Sequence, residues 1–180
     1  FRNEIFEPDN FVITVELVPG RESRGRSLDT VMGIAQDAFS DGRVCALSVT
    51  DNPGGNPTLG SAFIGYEILK IGLDVIVHVA GRDLNRLGLE SRCLLLASMG
   101  MKNILSLTGD FVGKGFAGQG GPVFDLDSVT MLAMQRMLTD RMAASGDPEG
   151  FFSGCAVSPF KYTEGECRLQ YVKLWKKITA

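Results

Sequence analysis

Two carboxylates stand where strand-like runs of apolar residues give out. Asp110 closes the stretch Asn103 to Asp110, Asn-Ile-Leu-Ser-Leu-Thr-Gly-Asp, and Glu16 sits within Thr-Val-Glu-Leu-Val-Pro-Gly, positions 14–20. An apolar run that stops at a glycine and a carboxylate is how a buried parallel strand hands its last residues to an active-site loop. A carboxylate among β-branched neighbours is costly to bury unless it is paired or protonated, and the protonated form is the one a general acid needs. Glu16 therefore reads either as such an acid or as an edge residue paired with Arg21, Arg24 or Arg26. For Asp110 the plain alternative is a turn former or helix cap, but the next helical pattern starts well downstream, which makes a simple cap awkward and favours function. Thr50 closes another strand-like run, where its hydroxyl either meets a ligand or simply follows the strand preference of threonine. His78, the only histidine, lies between Val77 and Val79 and reads as a core or ring-stacking residue; with no second His or Cys beside it, a metal site is not expected.

These residues need elements to hold them, and the chain alternates between the period of a strand and that of a helix. Strands are expected over Phe11 to Val18, Arg43 to Thr50, Asp74 to Val79, Asn103 to Asp110 and Phe151 to Val157. Helices are expected over Leu28 to Phe39, Leu59 to Ile71, Leu89 to Met99, Asp127 (as N-cap) to Ala144, and from Gly165 onward. Met131, Met134, Met137 and Met142 fall at helical spacing and read as packing. Alternating strands and helices in one chain imply an α/β fold with a parallel sheet, because each crossover must pass over a face. Two architectures fit: a five-stranded doubly wound sheet, or a (βα)8 TIM barrel of which this chain holds five units, a full barrel needing about 250 residues. Leu174 to Ala180 stops inside a helical pattern without a glycine cap, and the chain opens on Phe1, so both ends read as trimmed. The whole of 1–180 reads as one domain. Either architecture places ligands at the C-terminal ends of the strands, where Glu16, Thr50, His78 and Asp110 all fall.

Composition narrows the classes. The 180 residues are 44% hydrophobic with a net charge of -3, which gives no support to a nucleic-acid partner, whose binders are usually strongly basic. No apolar run reaches the roughly 18 residues of a membrane span. Cys45, Cys93, Cys155 and Cys167 form no Cys-x-x-Cys pair, which suits a reduced, cytoplasmic compartment better than a disulfide framework. Gly113-Lys114-Gly115-Phe116-Ala117-Gly118 matches G-x-G-x-x-G by spacing, but that pattern carries meaning only when it joins a strand directly to a helix, and here Gly120, Gly121 and Pro122 intervene. The segment reads instead as a mobile lip over the strand ends, with Phe111, Phe116 and Phe124 available to cover a ring system. The Arg21 to Arg26 cluster is either a solvated loop or a receiver of phosphate or carboxylate groups.

Several motifs in fixed order carry a resemblance. They are Val-Glu-Leu-Val-Pro (15–19), Leu-Ser-Val-Thr (47–50), His-Val-Ala-Gly-Arg-Asp-Leu-Asn-Arg (78–86) and Asn-Ile-Leu-Ser-Leu-Thr-Gly-Asp (103–110). Pro-Val-Phe-Asp-Leu-Asp-Ser-Val (122–129), Gly-Cys-Ala-Val-Ser-Pro (154–159) and Leu-Trp-Lys-Lys-Ile-Thr-Ala (174–180) continue it. From Val12 to Ala180 the chain resembles the flavin-dependent methylenetetrahydrofolate reductase family. The resemblance implies a (βα)8 barrel that carries FAD, with FMN as the alternative, at its C-terminal face and continues for three more units. It makes Glu16 the general acid that assists opening of the imidazolidine ring of methylenetetrahydrofolate, and Asp110 the acidic residue beside flavin and pterin. Thr50, His78, Thr108, Gly109 and Ala156 would line the flavin, with Lys177 on its phosphate side. The implied reaction is a ping-pong hydride transfer from NAD(P)H through flavin to the folate, in one-carbon metabolism and methionine biosynthesis. The chain differs from the family pattern at three places: Leu17 to Gly20 replace an aromatic pair and a double proline, Thr108 stands where many members have arginine, and Ser158 replaces a tyrosine. The altered loops leave open a second reading, a barrel subunit that binds folate or another C1 carrier within a larger methyl- or electron-transfer complex, taking electrons from a protein donor. A homo-oligomer or complex subunit is expected.

Overall fold

A computed structural model describes residues 1–112 and 120–180. Five strands, β1 (Ile13–Leu17), β2 (Val44–Val49), β3 (Asp74–Ala80), β4 (Asn103–Leu107) and β5 (Phe152–Cys155), form one sheet in the order of the chain, and every neighbouring pair is parallel. Between and after them run helices α2 (Arg26–Asp41), α3 (Ser61–Ile71), α4 (Arg86–Ser98), α5 (Ser128–Ala144) and α6 (Glu164–Thr179). The fold is thus α/β with an all-parallel sheet built of alternating βα units. Among the described residues no helix is long and apolar enough to cross a membrane.

Strand alternation sorts the sheet into two faces. Leu17, Leu47, Val49, Val75, Val77, Val79 and Ile104 share one face and are almost wholly buried. They pack in a single cluster with Val31 and Ala35 of α2, Ile64 and Ile68 of α3, Leu89, Cys93 and Leu96 of α4, and Met131, Met134 and Leu138 of α5. Each such aliphatic side chain contributes about 1.5–3 kcal/mol by leaving water, so this one layer between sheet and helices is the main source of stability. The opposite face carries Thr14, Glu16, Ser48, His78, Leu105 and Leu107, and no long helix covers it; Thr14 and Glu16 are exposed. The helices α2 to α5 therefore lie on one side of the sheet.

Element bounds differ from the sequence reading where loops take over. β4 ends at Leu107 rather than running to Asp110, and β5 ends at Cys155 rather than Val157, so Thr108 to Asp110 and Ala156 to Ser158 are loop residues. The C-terminal strand residues pair in register, Ala80 with Leu107 and Ser106 with Cys155, and beyond these points the chain turns toward the next helix. Three of the four methionines at helical spacing pack inward, while Met137 is exposed. Two features went unread. The short helix α1 (Arg2–Phe6) packs by Phe6 against Phe152, with ring centroids 5.7 Å apart, at the N-terminal end of the sheet. Thr163 and Glu166 form a reciprocal capping box that starts α6, a pattern present in Thr-Glu-Gly-Glu. The expected glycine lip at 113–118, with Phe116, lies outside the described residues.

Candidate functional site

The C-terminal ends of β4 and β5 and the inner side of α6 enclose a cavity of about 350 Å³. Thr108, Gly109, Asp110, Ala156 and Lys177 all line it, together with Ser158 and Gln170. Five of the eight residues singled out in the sequence thus meet around one space, within the ~300–1,000 Å³ range usual for ligand pockets. Local structure explains how. Ser128 N–H donates to the Thr108 hydroxyl at 3.1 Å, and the Asp127 side chain accepts from Val129 and Thr130, so all three leading amides of α5 are satisfied. The Thr108 hydroxyl also donates to Ser128 Oγ at 3.3 Å, which ties the end of β4 to the start of α5 and uses both hydrogen-bonding sides of that group. From the other wall the Lys177 ammonium donates to the Ala156 carbonyl, drawing α6 over the end of β5. Asp110 is exposed at the mouth, and Phe111 packs on Phe124 beside it with ring centroids 5.3 Å apart.

Gly109 has φ +89, and a Cβ there would lie 2.9 Å from the Cβ of Arg82. Both the left-handed backbone and the close approach call for glycine, and they bend the chain so that Asp110 follows at the mouth.

Glu16, Thr50 and His78 lie on the uncovered face or its upper rim rather than in the cavity. Glu16 is exposed on β1 and pairs in register with Ser48. The burial among β-branched neighbours expected for it is absent, because Thr14 and Glu16 point away from the helices while Ile13, Val15 and Leu17 take the covered side. Among the described residues no ion pair joins Glu16 to Arg21, Arg24 or Arg26, and Arg21 donates to the Asn56 side chain at 3.0 Å. His78 is buried, with Nε2 2.7 Å from the Ser48 hydroxyl. Burial holds its imidazole below the ordinary 6.5, against the pull of the Glu16 and Asp51 carboxylates, so the ring is neutral at pH 7. Thr50 is buried and held by backbone: its N–H donates to the Leu17 carbonyl at 3.0 Å, and its hydroxyl faces the same oxygen at 3.4 Å.

Glu16 lies on β1 and Asp110 in the loop that follows β4, and those two strands are three places apart in the sheet, roughly 14 Å by the usual interstrand spacing. That is too far to share a proton, and it leaves room for a flat ring system between them.

The sequence reading missed a polar network on the same rim. Asp51 accepts from the Ala80 N–H at 3.2 Å and lies 3.5 Å from Arg92. Arg82 is buried and bonds to the Asp83 carboxylate and to the backbone carbonyls of Asn52 and Asp110. Both Arg82 and Asp83 stand in the quoted 78–86 motif just past β3, and that position was the available signal. No group of three or more His, Cys, Asp or Glu among the described residues is placed to hold a metal ion. A second cavity of about 380 Å³, lined by Arg2, Asp74, Lys102 and Glu149 among others, lies at the N-terminal ends of the strands, the end that serves stability rather than chemistry in parallel α/β folds. No protein-family model matches the chain, and no curated protein matches it significantly.

Proposed function

We propose that the chain is the flavin-binding part of a barrel oxidoreductase that reduces 5,10-methylenetetrahydrofolate with electrons from NAD(P)H. One observation carries the reading: residues scattered over Thr108 to Lys177 converge on one cavity at the C-terminal strand ends, on the same rim as the uncovered face that bears Glu16 and His78. The barrel is supported by the sequential strand order and by helices on one face only. A doubly wound sheet reverses its strand order and has helices on both faces.

The donors fit a phosphorylated, ring-bearing cofactor. Lys177, Ser158 and Gln170 offer a cation, a hydroxyl and an amide to a phosphate arm, while the half-buried Leu105 and Leu107, with the buried His78 beside Leu105 in register, offer an apolar surface for a flat ring. FAD, or FMN, when bound there supplies the exchange of hydride between two substrates. The protein's own part is to bind and orient. Asp110 at the mouth holds the folate ring by its exposed carboxylate, and Glu16 across the sheet delivers a proton to the folate nitrogen. The neutral His78 would add no positive charge near a ring bound there.

The test is an absorbance titration of the full-length protein with FAD, followed by anaerobic addition of NADH or NADPH and then of methylenetetrahydrofolate. Bleaching by the nicotinamide and recovery of colour on adding folate are expected. An absence of flavin binding overturns the proposal. Bleaching only by a partner protein selects the complex-subunit alternative.

A further inference from the structure

We infer that Arg82 is a positioning residue: its guanidinium fastens together the loops that follow β2, β3 and β4 and thereby sets the pose of Asp110. Arg82 lies in a loop at the rim yet is only 2% exposed. A buried guanidinium is tolerated when its donors are engaged, and those of Arg82 are. Nε and Nη2 donate to the two oxygens of Asp83 at 2.7 and 2.8 Å. Nη2 also donates to the Asn52 carbonyl at 2.8 Å, and Nη1 donates to the Asp110 carbonyl at 3.2 Å. The Arg82 carbonyl accepts from Val123 N–H at 2.8 Å, which adds the segment before α5.

The rest of the network keeps the clamp in register. Asn52 donates from its side chain to Asp83 at 3.1 Å while its own Oδ1 accepts from Thr58 N–H at 3.0 Å, so the loop after β2 is bonded on both sides. A Cβ on Gly81 would lie 2.3 Å from the Leu126 carbonyl, so only glycine lets the Arg82 backbone pass there. Arg82 grips Asp110 by its carbonyl and not by its carboxylate. The acid is therefore placed without being occupied, which is what a ligand-binding carboxylate requires of its supporting residues. Lysine cannot replace this arrangement, because one ammonium has no rigid fork to span three loops.

The catalytic consequence rests on the reading of Asp110 above, whereas the clamp itself does not. The test compares Arg82→Lys and Asp83→Asn with the unaltered chain by amide hydrogen exchange. Exchange faster by roughly tenfold or more is expected in peptides 51–56 and 108–112, with peptides 75–79 and 104–107 unchanged, because only the loops lose their fastening. Uniform acceleration, or none in the loops, overturns the inference. If Arg82→Lys does not fold, the milder Asp83→Asn carries the same criteria.

The rate of the folate half-reaction supplies the second readout in a cycle with Asp110→Asn. The Arg82→Lys loss is expected to vanish when Asp110 is already changed, and fully additive losses overturn the positioning role. If the unaltered protein binds no FAD, the functional proposal fails, and the clamp is judged on exchange alone.

Discussion

Among single residues, Asp110 and Cys93 make opposite cases, one placed for contact and the other sealed away. Asp110 is exposed at the mouth of the cavity, on a backbone fixed by Gly109 and Arg82. Asp110→Asn keeps the shape and removes the charge, so on the proposed function the folate half-reaction is expected to slow by about ten- to a hundredfold, the worth of about 1.5–3 kcal/mol for a hydrogen bond to a charged group. Flavin reduction by NAD(P)H should change far less, and stopped-flow traces of the two half-reactions separate them. Equal losses mean that Asp110 only holds the loop. Cys93 has no exposed surface, and burial pushes its thiol up to about 11. The thiolate is the reactive form, so Cys93 should stay unlabelled by a thiol reagent at pH 8 in the folded protein and label on denaturation. Mass spectrometry of the four cysteines, none of them in a disulfide, reads this directly, and labelling of Cys93 at the rate of Cys45 or Cys155 contradicts it.

At the level of elements, the junction between β4 and α5 decides the shape of the cavity wall. Thr108→Val leaves the Ser128 N–H without its acceptor and should cost about 1 kcal/mol, as the loss of a helix cap does. Gly109→Ala meets both a left-handed backbone and the Arg82 Cβ, and should cost about 1–3 kcal/mol. Urea unfolding checks both, and a Gly109→Ala change within error of zero shows that the loop relaxes freely. This junction also shows how far the sequence could be read. The five strands, five of the helices and the Asp127 cap were legible because each rests on local periodicity or a local capping residue. The end of β4 was not, since Leu-Thr-Gly-Asp continues the apolar pattern while register with β3, a long-range property, ends at Leu107. Thr108 was read as a flavin neighbour, and it does line the cavity, but its hydroxyl is bonded to Ser128, twenty positions along the chain. Arg82 was hidden for the same reason: its three loops meet only once the sheet is assembled. Glu16 was placed on the correct strand, yet the cover expected over it depended on what lies against the other face of the sheet.

For the molecule as a whole, two groups make stability depend on pH in the same direction. Burial holds the His78 imidazole below 6.5; folded protein therefore binds fewer protons than unfolded chain, and stability present above 6.5 falls as the pH drops through that value. Asp83 is raised by burial but held below its usual range by hydrogen bonds from Arg82 and Asn52, so its contribution is lost only below about 3.8. Urea midpoints at pH 8 and pH 5 should differ, and His78→Gln should flatten that difference while leaving the loss at lower pH. The larger consequence of the architecture concerns its surfaces. Among the described residues β1 and β5 have no outer neighbours, and one face of the sheet lacks a helical cover. Unpaired strand edges recruit other strands, and contiguous apolar surface recruits other surfaces. Beside the β5 edge, α6 exposes Leu169, Val172, Trp175 and Ile178, which fall on one side of the helix, while its other side carries Gln170 and Lys177 into the cavity. The chain of these 180 residues is therefore expected to self-associate as its concentration rises, seen by sedimentation velocity. Trp175, the only tryptophan, is 68% exposed and reports the event: its emission should lie to the red in dilute protein and move to the blue on association. Ile178→Lys should suppress both changes without lowering the melting temperature, because no residue of α6 is buried. A chain that sediments as a monomer at every concentration, with unshifted Trp175 emission, shows that these edges and this face are protected as they stand.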